Sequence, residues 1–512
     1  MPEHLRALVV ILGLAIAVFV CVKGPACAVA TASGDFGRRR NLWFAITLAA
    51  FLAHNFWIYI IATTALLLFA VPREPNKLAM FFFLMFAVPA ISDQIPGPGT
   101  INQLFTIHYY RLLALAVLLP AFLSLWKQPD RERFGRTLPD KLLAGYVILQ
   151  FLLMLKVNTL TNTLRYGAFY AFTDTFLPYY VASRSLKNLD GFRDALMSFV
   201  VAAIVLSAIG AFEVAKGWLL YAALEEALGV PWNLGNYLVR DGTLRALATI
   251  GHPLGLGYVI AVALGFYMFL RKSAPSPVIW SLGAAALLAG LASTLSRGPV
   301  VGGAVIALAF VATGQSPVSG LARLGFLGLV AFSVLMATPA SEVMIEYLAF
   351  FGSIDTFNIT YRVKLLQISL DIIQQNPLFG AYDFYLIPDL QDLKQGQGII
   401  DIVNTYVGVG LASGVAGLSL FAGFFFAAAA GVSRGMKKNA DRNGELFLLG
   451  RALLATLFGI LLMIFTVSNL MTVPLIYWSL GGLCVAYARM LALATAPEAA
   501  RPAGFQPATV KS

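Results

Sequence analysis

A chain of 512 residues that is 59% hydrophobic and only 12% charged is too apolar for a soluble protein of this length. Apolar runs of membrane-spanning length recur from end to end without strand-like alternation, which excludes a membrane β-barrel and predicts an all-α, polytopic membrane helical bundle. Much of the formal net charge of +11 lies in short connections, so it indicates orientation in a lipid bilayer and not binding to nucleic acid.

The first two apolar regions leave the start of the bundle open to more than one interpretation. Residues 5–22 form an apolar run, and residues 27–30 have the small side chains of a signal-peptide cleavage site. Cleavage would leave the arginines at 38–40 on the translocated side, against the positive-inside rule, so we favour an uncleaved first helix. Residues 41–71 form either one long helix or a short hairpin, which leaves a predicted total of about 12 to 14 spanning helices.

Further apolar runs follow along the whole chain. They lie near 77–92, 109–126, 141–157, 166–183, 194–215, 253–270, 277–296, 299–315, 322–340, 403–430, 446–467 and 472–492. Basic connections separate several of these runs, and placing all of them on the cytoplasmic side gives a consistent alternation. The basic connections are 127–141, 184–193, 271–272 and 434–442.

This pattern divides the chain into four parts. Residues 1–240 form N-terminal membrane helices, and residues 241–430 form a core with a long external loop at 341–402. Residues 431–492 form C-terminal membrane helices, and the Ala- and Pro-rich tail at 493–512 is predicted to be disordered.

One charged residue, Arg297, interrupts the apolar stretch 286–307. An arginine at the centre of a membrane helix costs about 2.5–3.5 kcal/mol on insertion scales, and a tight turn at residues 296–299 avoids this cost. Pro299 then opens the second helix, where its missing N–H is no loss. The turn therefore holds a cation at one mouth of the bundle, on the side opposite to the basic connections.

Two segments on this external side have helical patterns. Residues 217–228 predict a short interfacial helix, with Trp218 and Tyr221 as anchors at the level of the lipid headgroups. Residues 361–375 predict a second, membrane-hugging helix that ends at Asn376-Pro377, because the residue before a proline avoids the helical region. The apolar stripe of this second helix consists of Val363, Leu366, Leu370 and Ile373. A structured loop of this length in a compact membrane protein is usually functional.

Three arginines on the external side, Arg245, Arg297 and Arg362, stand near membrane-facing elements. A snorkelling interfacial role explains any one of them, but three on one face favour an anion site, because arginine captures phosphate with two parallel hydrogen bonds. Lipid headgroups and lipid-linked carriers are the large anions presented there. The sequence has no Asp-Xaa-Asp pair, no P-loop and no clustered cysteines or histidines, so we expect no metal, no cofactor and no ATP-driven step.

Four segments of the C-terminal half, taken in order, resemble the O-antigen polymerase/ligase family. They are LRALATIGHPLGLG (244–257), STLSRGPVVGGAV (293–305), TYRVKLLQISLDIIQQNPLFGAY (360–382) and IDIVNTYVGVGLASGVAGL (400–418). In that family a Ser-Arg-Gly turn precedes a long periplasmic loop that carries an arginine-led helix, a Pro-Leu-Xaa-Gly stop and a His-Asn-Xaa-Tyr-like start to the next helix. The resemblance covers roughly residues 240–430. It implies a GT-C-like, metal-independent glycosyltransferase of the bacterial cytoplasmic membrane, active on the periplasmic face.

The resemblance also implies roles for individual residues. Arg245, Arg297 and Arg362 match arginines that bind a polyprenyl diphosphate in the family. Asp401, Asn404 and Tyr406 match an Asp-Xaa-His-Asn-Xaa-Tyr-like stretch, in which Asn404 and Tyr406 would position the substrate. The sequence departs from this stretch at Val403, which stands where the ligases carry their catalytic histidine. This departure favours a polymerase over a ligase.

The implied reaction is a direct displacement of the lipid diphosphate by a sugar hydroxyl. General-base catalysis of that step is worth about 10²–10⁴ in rate. Asp401 is the first candidate for the base, and a helix-cap or helix-dipole role is equally compatible with its position. Glu346 and Asp383 are fallback candidates. His252, which precedes Pro253, is either a catalytic base or a structural cap.

Three other functions are alternatives to a polymerase of lipid-linked repeat units that makes an exopolysaccharide or O-antigen. A ligase would move a finished glycan to a lipid or protein acceptor. A transporter or flippase of lipid-linked sugars is less favoured, because we see no inverted repeat and no clear charged pairs within the helices. A scaffold of a polysaccharide export complex would not require the external arginines. For the polymerase, we expect a flippase and a chain-length regulator as partners.

Overall fold

The computed structural model describes residues 1–99, 102–129, 132–232, 239–240, 242–336, 356–394, 400–439, 441–467 and 470–494. Within these ranges the chain is almost entirely helical, and nine helices are long and apolar enough to cross a membrane. Two shorter apolar helices, Pro277–Ser293 and Arg297–Ala312, accompany them. This architecture confirms the predicted all-α, multi-pass membrane protein, while the total of 12 to 14 spans stays a prediction.

The N-terminal half contains eight helices and a β-hairpin. The helices are α1 (Glu3–Val29), α2 (Ser33–Leu52), α3 (Phe56–Ala70), α4 (Lys77–Leu84), α5 (Tyr109–Trp126), α6 (Leu138–Val157), α7 (160–185) and α8 (Leu189–Lys216). The hairpin pairs β1 (Ser92–Pro96) with β2 (Gln103–His108) in antiparallel register. The ambiguous region 41–71 is a hairpin of α2 and α3, because Asn55 caps α3 by accepting hydrogen bonds from two backbone N–H groups.

The C-terminal half adds a short hairpin and ten helices, of which two are single-turn or near single-turn pieces. The hairpin consists of β3 (Val239–Arg240) and β4 (Thr243–Leu244). The helices are α9 (Leu224–Leu228), α10 (Pro253–Leu270), α11 (Pro277–Ser293), α12 (Arg297–Ala312), α13 (Pro317–Met336), α14 (Thr356–Gln375), α15 (Pro388–Gln391), α16 (Thr405–Lys438), α17 (Glu445–Met463) and α18 (Thr472–Ala494). The central helix α10 packs against α8, α11, α12 and α17, and the first part of α16 packs against α14.

All four basic connections meet at one end of the bundle, which we call the basic end. Side-chain contacts join them in pairs: Lys187 donates to Gln128 over 3.3 Å, and Lys272 donates to the carbonyl of Asn443 over 2.8 Å. Arg193 pairs with Glu445, and Arg489 pairs with Glu132. The prediction that these connections share one side is therefore confirmed. Arg39 reaches the same end, because it pairs with Asp194 just after one of the connections.

The opposite end, which we call the site end, carries the β1–β2 hairpin, the turn before Arg297 and the segment around α14. One prediction made for this end is wrong. Residues 217–228 form turns followed by the single-turn helix α9, and Tyr221 is 1% exposed, packed against Phe51. A tyrosine buried inside the protein does not act as a headgroup anchor.

The helix predicted at 361–375 is present as α14, but it packs through a different face. The residues of the predicted apolar stripe include three that are about half exposed, at positions 363, 366 and 370. Its buried face presents Leu365 and Ile372 to a small core of its own. The other members of that core are Phe384, Leu390, Leu393, Ile402 and Leu411. The loop therefore folds onto the start of α16.

The Pro-Leu-Phe-Gly stop after α14, residues 377–380, crosses α16 at a break in that helix. Gly414 has φ +60° and ψ −159° inside α16, so the helical pattern of backbone hydrogen bonds is interrupted there. The stop and the residue after it supply partners for backbone groups of α16. Ala381 N–H donates to the carbonyl of Leu411 over 2.7 Å, and Val415 N–H donates to the carbonyl of Pro377 over 2.8 Å. This backbone pairing satisfies polar groups that would otherwise be buried without partners.

Candidate functional site

The arginine turn is built as the sequence predicts. Helix α11 ends at Ser293, Leu295 adopts a left-handed φ of +45°, and α12 begins at Arg297. The hydroxyl of Ser296 donates to the carbonyl of Thr294 over 3.0 Å, which tightens the turn. Pro299 lies in the first turn of α12, where its missing N–H costs nothing. Arg297 is thus held at the site end and does not interrupt a helix within the membrane.

Arg245 is fastened directly to this turn. Its Nε donates to the carbonyl of Thr294 over 3.2 Å, and its Nη2 donates to the hydroxyl of Ser296 over 2.8 Å. The next residue, Ala246, donates its N–H to the carbonyl of Ser293 over 3.0 Å. Two arginines separated by about 50 positions in the sequence, Arg245 and Arg297, are therefore carried by one hydrogen-bonded unit. The unit presents both to the site end.

A buried carboxylate, Glu213, positions the segment that follows β4 and carries Arg245. Glu213 lies in the last turn of α8 and is 0% exposed. Its carboxylate accepts the N–H groups of Leu247 and Ala248, both over 2.9 Å, and that of Leu220 over 3.1 Å. Glu213 is not among the site residues predicted from the sequence. The signal for it was an isolated acid near the C-terminus of an apolar helix, where the helix dipole disfavours a negative charge.

His252 is the N-cap of α10 and lies close to Arg245. Its Nδ1 accepts the N–H of Leu254 over 3.1 Å. Burial, together with the positive charge of Arg245, lowers the pKa of His252 to about 4. At neutral pH the ring is uncharged, and because Nδ1 accepts a hydrogen bond, the proton sits on Nε2. In this tautomer Nε2 of His252 is a hydrogen-bond donor, and the ring caps α10 through Nδ1.

The start of α16 and the arginine turn both contact the C-terminal end of α17 and the residues that follow it. Asn404 caps α16 by accepting the N–H groups of Tyr406 and Val407 over 2.9 and 3.3 Å. The hydroxyl of Tyr406 donates to the carbonyl of Leu461 over 2.8 Å. On α12, Gly298 packs closely against Thr466. The segment 461–467 thus separates the arginine turn from Tyr406, and the amide of Asn404 has a structural role as a helix cap.

Asp401 is held by the loop helix that carries Arg362. The hydroxyl of Tyr361 accepts the N–H of Asp401 and lies 3.1 Å from its carbonyl as well. Burial and the negative charge of Asp401 raise the pKa of Tyr385, which places the carboxylate near that ring. Arg362, next to Tyr361, is exposed. In the described chain no hydrogen bond joins Arg362 to the unit of Arg245 and Arg297, so the predicted residues form two groups at one end.

Two further arginines at the site end were missed by the sequence analysis. Arg111 pairs with Asp174 over 2.6 Å and stacks 3.5 Å from the ring centre of Tyr170. Arg165 donates to the carbonyl of Leu104 over 2.6 Å. Both fasten the β1–β2 hairpin to α7. Their hydrogen bonds inside the protein give them a structural role.

Buried ion pairs correct one argument used against transport. Arg39, which is 0% exposed, pairs with Glu74 over 2.6 Å and with Asp194 over 2.7 Å. Arg184 pairs with Asp140 over 2.8 Å between α7 and α6. Charged pairs within the helices are therefore present, contrary to the expectation from the sequence. They lie towards the basic end, away from the arginine turn.

Two searches bear on the family of this chain. No protein-family model matches the chain, and no curated protein matches it. Across the described residues, no group of three or more histidine, cysteine, aspartate or glutamate side chains is arranged to hold a metal ion. The site is therefore defined by its own geometry: Arg297 at the turn, Arg245 hydrogen-bonded to that turn, the N-cap of α10 close to Arg245, and the carboxylate of Asp401 before α16.

Proposed function

We propose that this protein is a membrane glycosyltransferase that uses a polyprenyl-diphosphate-linked oligosaccharide as donor and polymerises its repeat units. The observation that carries the proposal is the hydrogen-bonded unit of Arg245 and the turn before Arg297. It offers two guanidinium groups to a diphosphate at the mouth of a membrane helix bundle. The order of motifs that resembles the O-antigen polymerase/ligase family supports the same assignment.

The reaction is a displacement at the anomeric carbon of the donor sugar. The acceptor hydroxyl oxygen forms the new glycosidic bond, while the bond from the anomeric carbon to the diphosphate oxygen breaks. The electron pair leaves with the polyprenyl diphosphate, whose added charge Arg245 and Arg297 stabilise. Asp401 takes the proton of the attacking hydroxyl. The proposed displacement uses no metal, nucleotide or redox step.

The electrostatics of the site end support an anionic leaving group. Helices α10, α12 and α16 all begin there, so the positive ends of their dipoles add to the charge of the arginines. His252 stays uncharged beside Arg245, so it caps α10 without repelling that guanidinium. Glu213 faces backbone N–H groups, and its carboxylate is therefore occupied within the protein.

The test is a transfer assay with purified protein in lipid. The substrate is a polyprenyl-diphosphate-linked repeat unit, and the products are resolved by size. A ladder of repeat multiples is the expected result. A single transfer that occurs only when a lipid or protein acceptor is supplied would instead establish the ligase. If no donor is transferred but the labelled lipid-linked sugar crosses the bilayer of sealed vesicles, the protein is a flippase and the proposal fails.

A further inference from the structure

A cavity at the basic end is lined by positive charges. It has a volume of about 450 Å³ and lies between α10, α12, α13 and α17. Arg271, Lys272 and Arg451 line it, and its described lining contains no acidic side chain. One wall is apolar and consists of Met268, Phe310, Val311 and Leu448, while the polar residues Gln315 and Ser316 line the turn between α12 and α13. This cavity lies at the opposite end of the bundle from Arg245 and Arg297.

Arg451 is held in this cavity by Phe310, and it has no negative partner among the described residues. Its guanidinium stacks 4.2 Å from the ring centre of Phe310, and its Nη2 donates to the Phe310 carbonyl. Gly314 packs directly beneath the guanidinium, so the turn between α12 and α13 closes around it. Its Nε is buried and has no hydrogen-bond partner, and no carboxylate of the described chain pairs with the side chain.

The two other cations are exposed at the mouth of the cavity. Arg271 lies 5.3 Å from the ring centre of Trp280, and Lys272 donates to the carbonyl of Asn443. Neither forms an ion pair within the described residues. A half-buried arginine without a counter-charge is costly, and an anion bound between these three cations would offset that cost.

We propose that this cavity binds the phosphate headgroup of an anionic phospholipid from the leaflet at the basic end. Arg451 binds the phosphate, Arg271 and Lys272 hold it from the mouth, and the apolar wall receives the first part of an acyl chain. The position between the ends of membrane helices, with cations at headgroup level and apolar side chains below, matches a diacyl lipid better than a soluble anion. The site is independent of the glycosyl transfer proposed above.

Lipid binding to the full-length protein tests the proposal. Native mass spectrometry would count lipids retained from mixed micelles of phosphatidylglycerol and phosphatidylcholine with the same acyl chains. We expect selective retention of phosphatidylglycerol. Arg451→Gln should weaken this binding about tenfold, since it removes a charge-assisted hydrogen bond to the phosphate. The double variant Arg271→Gln, Lys272→Gln alters only exposed side chains, keeps the fold intact and should also weaken binding.

Lys438→Gln is the matched control. It removes one exposed positive charge from the basic end outside the cavity and should bind phosphatidylglycerol like the unaltered protein. Equal retention of both lipids, or unchanged binding in both cavity variants, would overturn the proposal. Displacement of the lipid by millimolar inorganic phosphate would assign the cavity to a soluble anion and overturn the lipid. None of these outcomes depends on glycosyltransferase activity.

Discussion

Arg297 lies at the turn before α12, and Arg245 reaches the same turn from another segment. Arg245 donates hydrogen bonds to the carbonyl of Thr294 and the hydroxyl of Ser296, so it stabilises the turn and also lies at the site end. The position of Arg297 at the start of α12 was predictable, because a charged residue flanked by apolar runs must reach a membrane surface. The contact between Arg245 and that turn was not predictable from the sequence, because residues about 50 positions apart meet only through the packing of α8, α10 and α11.

Two substitutions of Arg297, to lysine and to alanine, should separate the effect of its charge from that of its geometry. Arg297→Lys keeps the charge but loses the planar fork, and we expect glycosyl transfer to fall about tenfold with unchanged protein stability. Arg297→Ala removes the charge and should lower transfer about 10²-fold. The assay is the transfer reaction with a lipid-linked repeat unit. Arg434→Ala, at an exposed position of the basic end, is the control and should keep full activity. Full activity of Arg297→Ala would remove Arg297 from the site.

His108 provides a pH dependence of stability at the site end. It caps α5 through Nδ1 and is 4% exposed, and burial together with Arg111 lowers its pKa to about 4, while Asp174 opposes this shift. Because the folded pKa lies below the unfolded value near 6.5, the unfolded state binds the proton more readily as pH falls. The native state should therefore lose about 2 kcal/mol between pH 7 and pH 5.

Thermal unfolding in detergent at pH 7 and pH 5 measures this loss. The variant His108→Asn keeps a good helix cap and removes the titration, so its unfolding temperature should fall less on acidification than that of the unaltered protein. An identical fall in both proteins would show that other groups cause the acid sensitivity.

At the scale of the element, the loop between α13 and α16 shows how far sequence patterns reach. The helix at 361–375 and its stop at Asn376-Pro377 follow from periodicity and from the proline. The packed face did not follow, because α14 has aliphatic residues on more than one side and its partner is distant in sequence. The buried face is that of Leu365 and Ile372, chosen by contact with the start of α16.

The break in α16 predicts a strong effect at two glycines. A Cβ on Gly414 would lie 2.5 Å from the carbonyl carbon of Leu378, and one on Gly380 would lie 2.4 Å from the carbonyl oxygen of Leu411. Both residues also have left-handed φ values, so a side chain adds backbone strain of about 1–3 kcal/mol besides the clash. We expect Gly414→Ala and Gly380→Ala to lower the unfolding temperature. Both should also abolish glycosyl transfer, because the loop that carries Asp401 would lose its packing contact with α16.

Gly408→Ala is the control on the same helix. Gly408 is helical, and its Cβ would meet only Ile402 at an ordinary 3.5 Å, so this variant should be as stable as the unaltered protein or slightly more stable. If Gly414→Ala unfolds at the same temperature as Gly408→Ala, the crossing of the loop and α16 does not contribute to stability.

At the scale of the whole molecule, the charge distribution separates two ends. The four basic connections meet at one end through contacts such as those of Lys187 with Gln128 and Lys272 with Asn443. The unit of Arg245 and Arg297 lies at the other. The positive-inside rule then predicts that the site end faces away from the cytoplasm, as the proposed reaction with a lipid-linked donor requires.

Cysteine labelling in intact cells tests this orientation. Cys21 and Cys27 are replaced by alanine, while Cys484 can stay because it is buried. Asp389→Cys then reports on the site end and Lys438→Cys on the basic end, since both side chains are exposed. We expect a membrane-impermeant maleimide to label position 389 in intact cells and position 438 only after permeabilisation. The reverse pattern would place Arg245 and Arg297 in the cytoplasm, where a donor displayed on the outer face cannot reach them, and the proposed reaction would then be excluded even if the folded site were intact.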